Sequence, residues 1–220
     1  MQDIPVMTLD GPSGAGKGTV SRAIARMLGW HYLDSGAIYR SLAIAVLDRG
    51  IALDDPDAIV SVARSMDLAF DAGDPPRVLL DGVDISERTG SETVGNAASK
   101  VAAIGPVRQA LLQKQREFRQ APGLVADGRD MGTVVFPEAR YKIFLTASAE
   151  ERARRRYKQL KEKGADVSLA RLTSEIEERD CRDRERTEAP LRMADGASFV
   201  DSSDLSIEQV IERCLALVSA

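Results

Sequence analysis

An α/β fold, a parallel sheet core flanked by helices, is what the sequence predicts, and three observations carry that prediction. Short apolar runs alternate with segments of helical periodicity along most of the chain. A glycine-rich segment, residues 11–19, lies between the first apolar run and the first helical segment. Three of the apolar runs end in an aspartate, Asp10, Asp34 and Asp127, at the strand edge where open α/β sheets bind their ligands.

The elements follow in order. Ile4, Val6, Thr8 and Leu9 favour extended backbone, so Val6–Asp10 is the first strand. Val20, Ala23, Ile24, Met27 and Leu28 recur at helical spacing until Gly29 stops the run, which predicts a helix over Lys17–Leu28. A strand over 30–34 and a helix over 37–48 come next. Residues 66–86 break the alternation, because 67–71, 77–81 and 83–85 read as short strands joined by Gly, Asp and Pro turns, a small antiparallel insertion. The α/β pattern then resumes with a helix over 107–118, strands over 124–127 and Tyr141–Thr146, a helix over 150–163, a strand over Ser198–Asp201 and a last helix over 207–218. Segment 150–190 is densely charged and has few large apolar side chains. It fits a pair of solvated helices with i,i+4 partners such as Glu178 and Arg182, and it equally fits a mobile lid. No repeat or long Pro/Gly/Ser linker divides the chain, so one domain over 1–220 with insertions is expected.

Composition narrows the function classes. At 220 residues and 44% hydrophobic, the chain can bury one good core. A net charge of -4 gives no global attraction to nucleic acid or to an anionic membrane, and 5% aromatic residues offer no stacking platform for bases. Positive charge must therefore act locally. The 23 arginines against 7 lysines suit bidentate contacts to phosphate, although genomic base composition produces the same bias. Cys181 and Cys214 have no metal-site spacing and His31 is the single histidine, which disfavours zinc sets and histidine-dependent nucleophiles. A reducing cytoplasm is the expected location, since no export signal opens the chain and no apolar run approaches about 18 residues. Asn96 is the only asparagine and is followed by alanine, so the Asn-Lys-x-Asp guanine reader of many nucleotide switches is missing.

Four clusters could carry chemistry. Gly11, Pro12, Ser13, Gly14, Ala15, Gly16, Lys17, Gly18 and Thr19 form a loop whose glycines let backbone N–H groups converge, with Lys17 supplying charge where a triphosphate would lie. The general pattern has Ser or Thr directly after the lysine to hold magnesium. Here Gly18 intervenes, and one residue turns a helix by about 100°. Magnesium is therefore expected to be held through the nucleotide's own phosphates and water, and no side chain is assigned as a metal ligand. After the second strand, Ser35 can cap a helix while Arg40 faces an anion; an ordinary cap beside a surface arginine fits the same residues. After the strand at 124–127, Arg129 and Asp130 stand at the ligand-binding rim, which Gly128 and Gly132 are expected to keep open; a structural turn with a local ion pair also fits. In segment 178–186, helical spacing puts Arg179, Asp183 and Arg186 on one face, as a phosphate clamp or as a surface ion-pair ladder.

The strings GPSGAGKGT, LDSGAIYR, NAASKVA, VADGRDMGTVVFP, KIFLTAS and ERDCRDRE, in this order from about residue 4 to the last helix, resemble the bacterial cytidylate kinases among the nucleoside monophosphate kinases. The resemblance implies a P-loop NTPase-type core, an inserted monophosphate-binding domain at 37–104 and a short helical lid at 151–188. It implies transfer of the ATP γ-phosphoryl group to CMP or dCMP with Mg2+, in a monomer. Loop 11–19 would hold ATP. Ser35, Arg40, Arg129, Arg179 and Arg186 match positions around the acceptor phosphate, Ser99, Arg108 and Asp130 those that read cytosine, and Asp183 the one at the ribose. Among Arg154, Arg155 and Arg156 the run of adjacent arginines leaves open which faces ATP. The chemistry agrees with the resemblance: the CMP phosphate already carries a nucleophilic oxygen near neutral pH, so no general base is demanded. A carboxylate such as Asp130 would accept from the cytosine amine but meet an acceptor oxygen in uracil.

Overall fold

A computed structural model describes residues 4–71, 77–162 and 164–219. The chain divides into two compact units, one made of Met1–Leu33 with Arg116–Ala220 and the other of Asp34–Gln115.

The first unit is built on a five-stranded sheet. Its strands are β1 (Val6–Asp10), β2 (His31–Asp34), β6 (Leu124–Gly128), β7 (Tyr141–Thr146) and β8 (Ser198–Asp201), ordered β2-β6-β1-β7-β8. Every residue of β1 and β6 is buried, which explains why both read as unbroken apolar runs rather than alternating ones. β1 pairs in parallel with both neighbours: Leu9 lies opposite Asp127 on β6 and opposite Ile143 on β7, so the C-terminal ends of the three strands finish at the same edge. On one face, Met7, Leu9, Val125, Ile143, Leu145 and Val200 pack against Val20, Ile24 and Ala25 of α1 (Lys17–Leu28) and against Val210 and Cys214 of α8 (Ile207–Ser219). Burial pushes the Cys214 thiol up to about 12, so it behaves as a core hydrophobe. Helices α6 (Ala149–Glu162) and α7 (Leu169–Glu185) occupy the charged segment, in agreement with the expected helix pair. The expected helix over 150–163 ends at a residue, 163, outside those described.

The second unit packs helices α2 (Ser35–Asp48), α3 (Pro56–Ser65), α4 (Glu92–Val101) and most of α5 (Gly105–Arg116) with the antiparallel sheet β3 (Leu68–Asp71), β4 (Arg77–Leu80) and β5 (Val83–Asp84). The expected insertion at 37–104 lies inside it. The hairpin register, Leu68 opposite Leu80, follows the three short runs found in the sequence. α3 and α4 were not expected, although both carry start signals. Asp55 accepts from the Ala58 N–H at 3.0 Å with Pro56 at the first helical position, and Ser91 accepts from the Val94 N–H at 3.3 Å. Among the described residues, no helix is long and apolar enough to cross a membrane.

Gly11 links the core to the loop that follows β1. Its φ is +151°, and a Cβ at this position would run into the Leu145 carbonyl oxygen of β7. Gly11→Ala is therefore expected to destabilise the protein by about 3 kcal/mol, through backbone strain and overpacking together, as read from the midpoint of urea unfolding.

Candidate active site

The loop between β1 and α1 is shaped for an anion. Gly16, at φ +92°, is the N-cap of α1; no side chain caps it, and no acidic residue occupies the first turn. The N–H groups there lie at the positive end of the helix, which favours a negative ligand. Lys17 opens the helix yet is buried, 6% exposed, and its Nζ donates to the Pro12 carbonyl at 2.8 Å. Burial, and next the Arg129 guanidinium, bring its pKa down from 10.5 to about 7, while Asp127, Asp10 and Asp183 pull the other way. Asp10 mirrors it: burial raises its pKa to about 7 against the N–H groups of Gly132 and Met131, which donate to the carboxylate at 2.7 and 2.8 Å. Thr19 is exposed.

Those two N–H groups belong to a wide turn, Met131–Val135, whose first carbonyl partner is Asp130: the Val134 and Val135 N–H groups both donate to it. Asp10 thereby ties the end of β1 to the segment leaving β6. The glycines there do not keep the rim open. Gly128 and Gly132 are buried, and a Cβ would meet the Met131 side chain at the first and the Thr8 hydroxyl at the second, so their role is close packing. The Tyr32 hydroxyl donates to Asp127 at 2.6 Å, and Arg129 Nε donates to Asp183 at 2.7 Å.

Asp183, on the last turn of α7, is the centre of a cluster of guanidinium groups. Burial alone would raise its pKa, but Arg129, followed by Arg179 and Arg186, holds it below the usual carboxylate value. Burial likewise works against the Arg129 charge, and Asp183 outweighs it, so the Arg129 pKa is raised. One expectation changes here. α7 ends at Glu185, and Arg186 is its C-cap with extended backbone, φ -59° and ψ 137°. Arg186 thus leaves the face that Arg179 and Asp183 share; its Nε donates to the Ala189 carbonyl at 2.6 Å and its Nη2 lies 3.5 Å from Asp130. The chain turns there because the Leu191 N–H reaches back to the Asp183 carbonyl at 2.7 Å.

Of the three adjacent arginines, Arg154 is solvent-exposed, 3.8 Å from Glu151. Arg155 Nη2 donates to the Ser202 carbonyl at 2.6 Å, and Nη1 is 3.9 Å from where a Cβ on Gly16 would stand. Arg155 is therefore placed beside the loop. Arg152, which the sequence did not single out, is more deeply set than either; its only cue is that Ala149, Arg152 and Ala153 share a helical face.

In the second unit, Ser35 does not cap α2. Asp34 is the N-cap, its carboxylate accepting from the Ala37 N–H and from Arg40 at 2.8 and 2.7 Å. Aspartate precedes serine here and offers a second oxygen for the arginine, which a hydroxyl cannot. Ser35, the first helical residue, is buried and donates to Gln115 at 2.7 Å. Arg108 is buried, donates to the Ala102 carbonyl at 3.1 Å and lies over the Tyr39 ring at 5.5 Å. Ser99 is on the buried face of α4.

Strand, glycine loop and helix, with a buried lysine at the helix start and a guanidinium cluster at the same sheet edge, define a phosphate-loop protein. The chain belongs to the cytidylate kinase family, a family of nucleoside monophosphate kinases, whose model, described as "Cytidylate kinase", matches residues 7–220. The cytidylate kinase of Methylococcus capsulatus is 65% identical over 221 residues, covering 100% of both chains. That of Aeromonas hydrophila is 59% identical, covering 98% of this chain and 94% of its own, and that of Nitrosococcus oceani is 56% identical, covering 99% and 97%.

The lowered pKa of Asp183 sets an acid limit. An unfolded aspartate titrates near 3.9, so the stability this carboxylate contributes is complete above about pH 4 and is lost as pH falls through the lower, folded value. Asp183→Asn should lower stability at pH 7 by about 3 kcal/mol and flatten the acid limb, as read from urea unfolding at a series of pH values.

Proposed function

We propose that this protein transfers the γ-phosphoryl group of ATP to CMP or dCMP, giving ADP and CDP or dCDP, in pyrimidine nucleotide metabolism. The observation that carries the proposal is the buried Lys17 at the head of an uncapped helix, with Arg129 as its strongest charged neighbour. An oxygen of the CMP phosphate attacks the γ-phosphorus as the bond to the β-phosphate oxygen breaks, and ADP leaves. In such a transfer the protein supplies position and positive charge.

In this proposal loop 11–19 holds the ATP phosphates and Lys17 bridges toward the γ-phosphate. Arg129, Arg179 and Arg186 draw in the acceptor phosphate, Asp183 orients those guanidinium groups and meets the ribose, and Asp130 accepts from the cytosine amine. Ser35, Arg40, Ser99 and Arg108 are assigned to CMP from the family resemblance, and Arg155 to ATP from its place beside Gly16. Mg2+ is assigned as the partner of ATP. The family resemblance implies a metal that arrives on the phosphates, held through them and water rather than by protein side chains. When bound, it would neutralise phosphate charge. The short helical lid, 151–188, would exclude water from the transfer. The proposal further has the protein act in the cytoplasm as a monomer on small nucleotides, with no part for nucleic acid or membrane.

A coupled assay with ATP and a panel of CMP, dCMP, UMP and AMP tests the activity: turnover confined to cytidine nucleotides is expected, and ATP binding with no acceptor turned over would defeat the proposal. A second outcome concerns pH. Burial and the Arg129 guanidinium lower the Lys17 pKa to about 7, and a bound triphosphate favours its ammonium form. Above about pH 7.5, ATP binding should therefore take up a proton, with affinity falling by up to about tenfold per pH unit. Titration calorimetry in two buffers of different ionisation enthalpy measures the uptake.

A further inference from the structure

Arg152 and Asp180 are buried, 3% and 4% exposed, and have no part in the chemistry assigned above. They form a two-pronged pair, Arg152 Nη1 and Nη2 donating to the two Asp180 oxygens at 3.1 and 2.6 Å. The same guanidinium does more than neutralise Asp180. Nη1 also donates to the Ser13 carbonyl at 3.0 Å and Nε to the Ala147 carbonyl at 2.9 Å. One planar group thus joins the middle of the phosphate loop, the end of the chain leaving β7 and the helix α7. The fit extends to the stem of the side chain. Gly14, at φ +79°, comes so close that a Cβ there would stand 3.1 Å from Arg152 Cβ.

We infer that Arg152 is a positioning residue for the phosphate loop: by holding the Ser13 carbonyl outward, it turns the N–H groups that follow toward the anion. This inference rests on loop 11–19 being the ATP site. A peptide carbonyl and the next N–H share a rigid plane, so fixing one sets the other. A surface ion pair would leave the loop to find this arrangement when the ligand binds, whereas a buried fork with four protein acceptors fixes it beforehand. Asp180 keeps the guanidinium in place from α7, next in sequence to Arg179, so the loop and the helix bearing an anion-binding arginine share one anchor.

The decisive comparison is the double variant Arg152→Met with Asp180→Leu, in which an apolar pair of similar volume replaces the buried charges. Such replacements commonly preserve or raise stability. Expected is a protein that unfolds at a midpoint near the wild type's but binds ATP about tenfold more weakly in calorimetry, since the Ser13 carbonyl has lost a charged donor. Arg152→Lys, which keeps the charge and loses the fork, should raise the KM for ATP more than that for CMP, and it serves if the double variant does not fold. Unaltered ATP affinity in a folded double variant, or an unaltered KM for ATP in Arg152→Lys, would overturn the role of Arg152 while leaving the kinase proposal standing. Failure of the wild-type protein itself to bind ATP would overturn both.

Discussion

Cations held out of water at one edge of a parallel sheet are the constraint on which the first unit depends. Lys17, Arg152 and Arg186 are buried and Arg129 is partly so. An isolated charge in such surroundings is destabilising by several kcal/mol, so each must meet a carboxylate or a carbonyl. The partners are supplied by neighbouring elements: Asp183 for Arg129, Asp180 for Arg152, Asp130 and the Ala189 carbonyl for Arg186, and the Pro12 carbonyl for Lys17. The strand ends, the glycine loop and α7 are thereby held by charge as well as by packing. The lowered pKa of Lys17 expresses a demand for negative charge that a phosphate would meet.

The apolar face and the charged edge are complementary parts of one design. Packing of α1 and α8 on β1, β6 and β7 fixes the sheet, and parallel register brings Asp10 and Asp127 to the edge from which the loop departs. Asp10 is then spent internally, on the N–H groups of Met131 and Gly132, and Asp127 is engaged by the Tyr32 hydroxyl. Carboxylates near the loop therefore serve mainly to hold backbone and to balance lysine and arginine.

Much of this was legible in the sequence. The boundaries of β1, β7, β8 and α1 follow from composition and periodicity, because short apolar runs bounded by turn or charged residues and a helix with one apolar stripe leave strong local patterns. α3 and α4 were harder. Their start signals, Asp55-Pro56 and Ser91, are short, and they flank the segment 66–86 that breaks the α/β alternation. Arg129, Arg179 and Asp183 were found because unlike charges recur at loop or helical spacing. Arg152 was not, because a lone arginine among many in a polar helix looks like solvated surface until the helix is docked.

The sequence by itself determined the local events: where the sheet strands begin, that glycines and a lysine follow the first strand, and that α7 carries alternating charge. These depend on steric preferences and periodicities a few residues long. Tertiary structure alone decided which charges became buried partners, that Arg186 turns away from the helix, and that Gly128 and Gly132 serve packing. Each of those outcomes is a competition between groups far apart in the chain, or between backbone and side-chain hydrogen bonds, and its energy exists only once the elements are in contact.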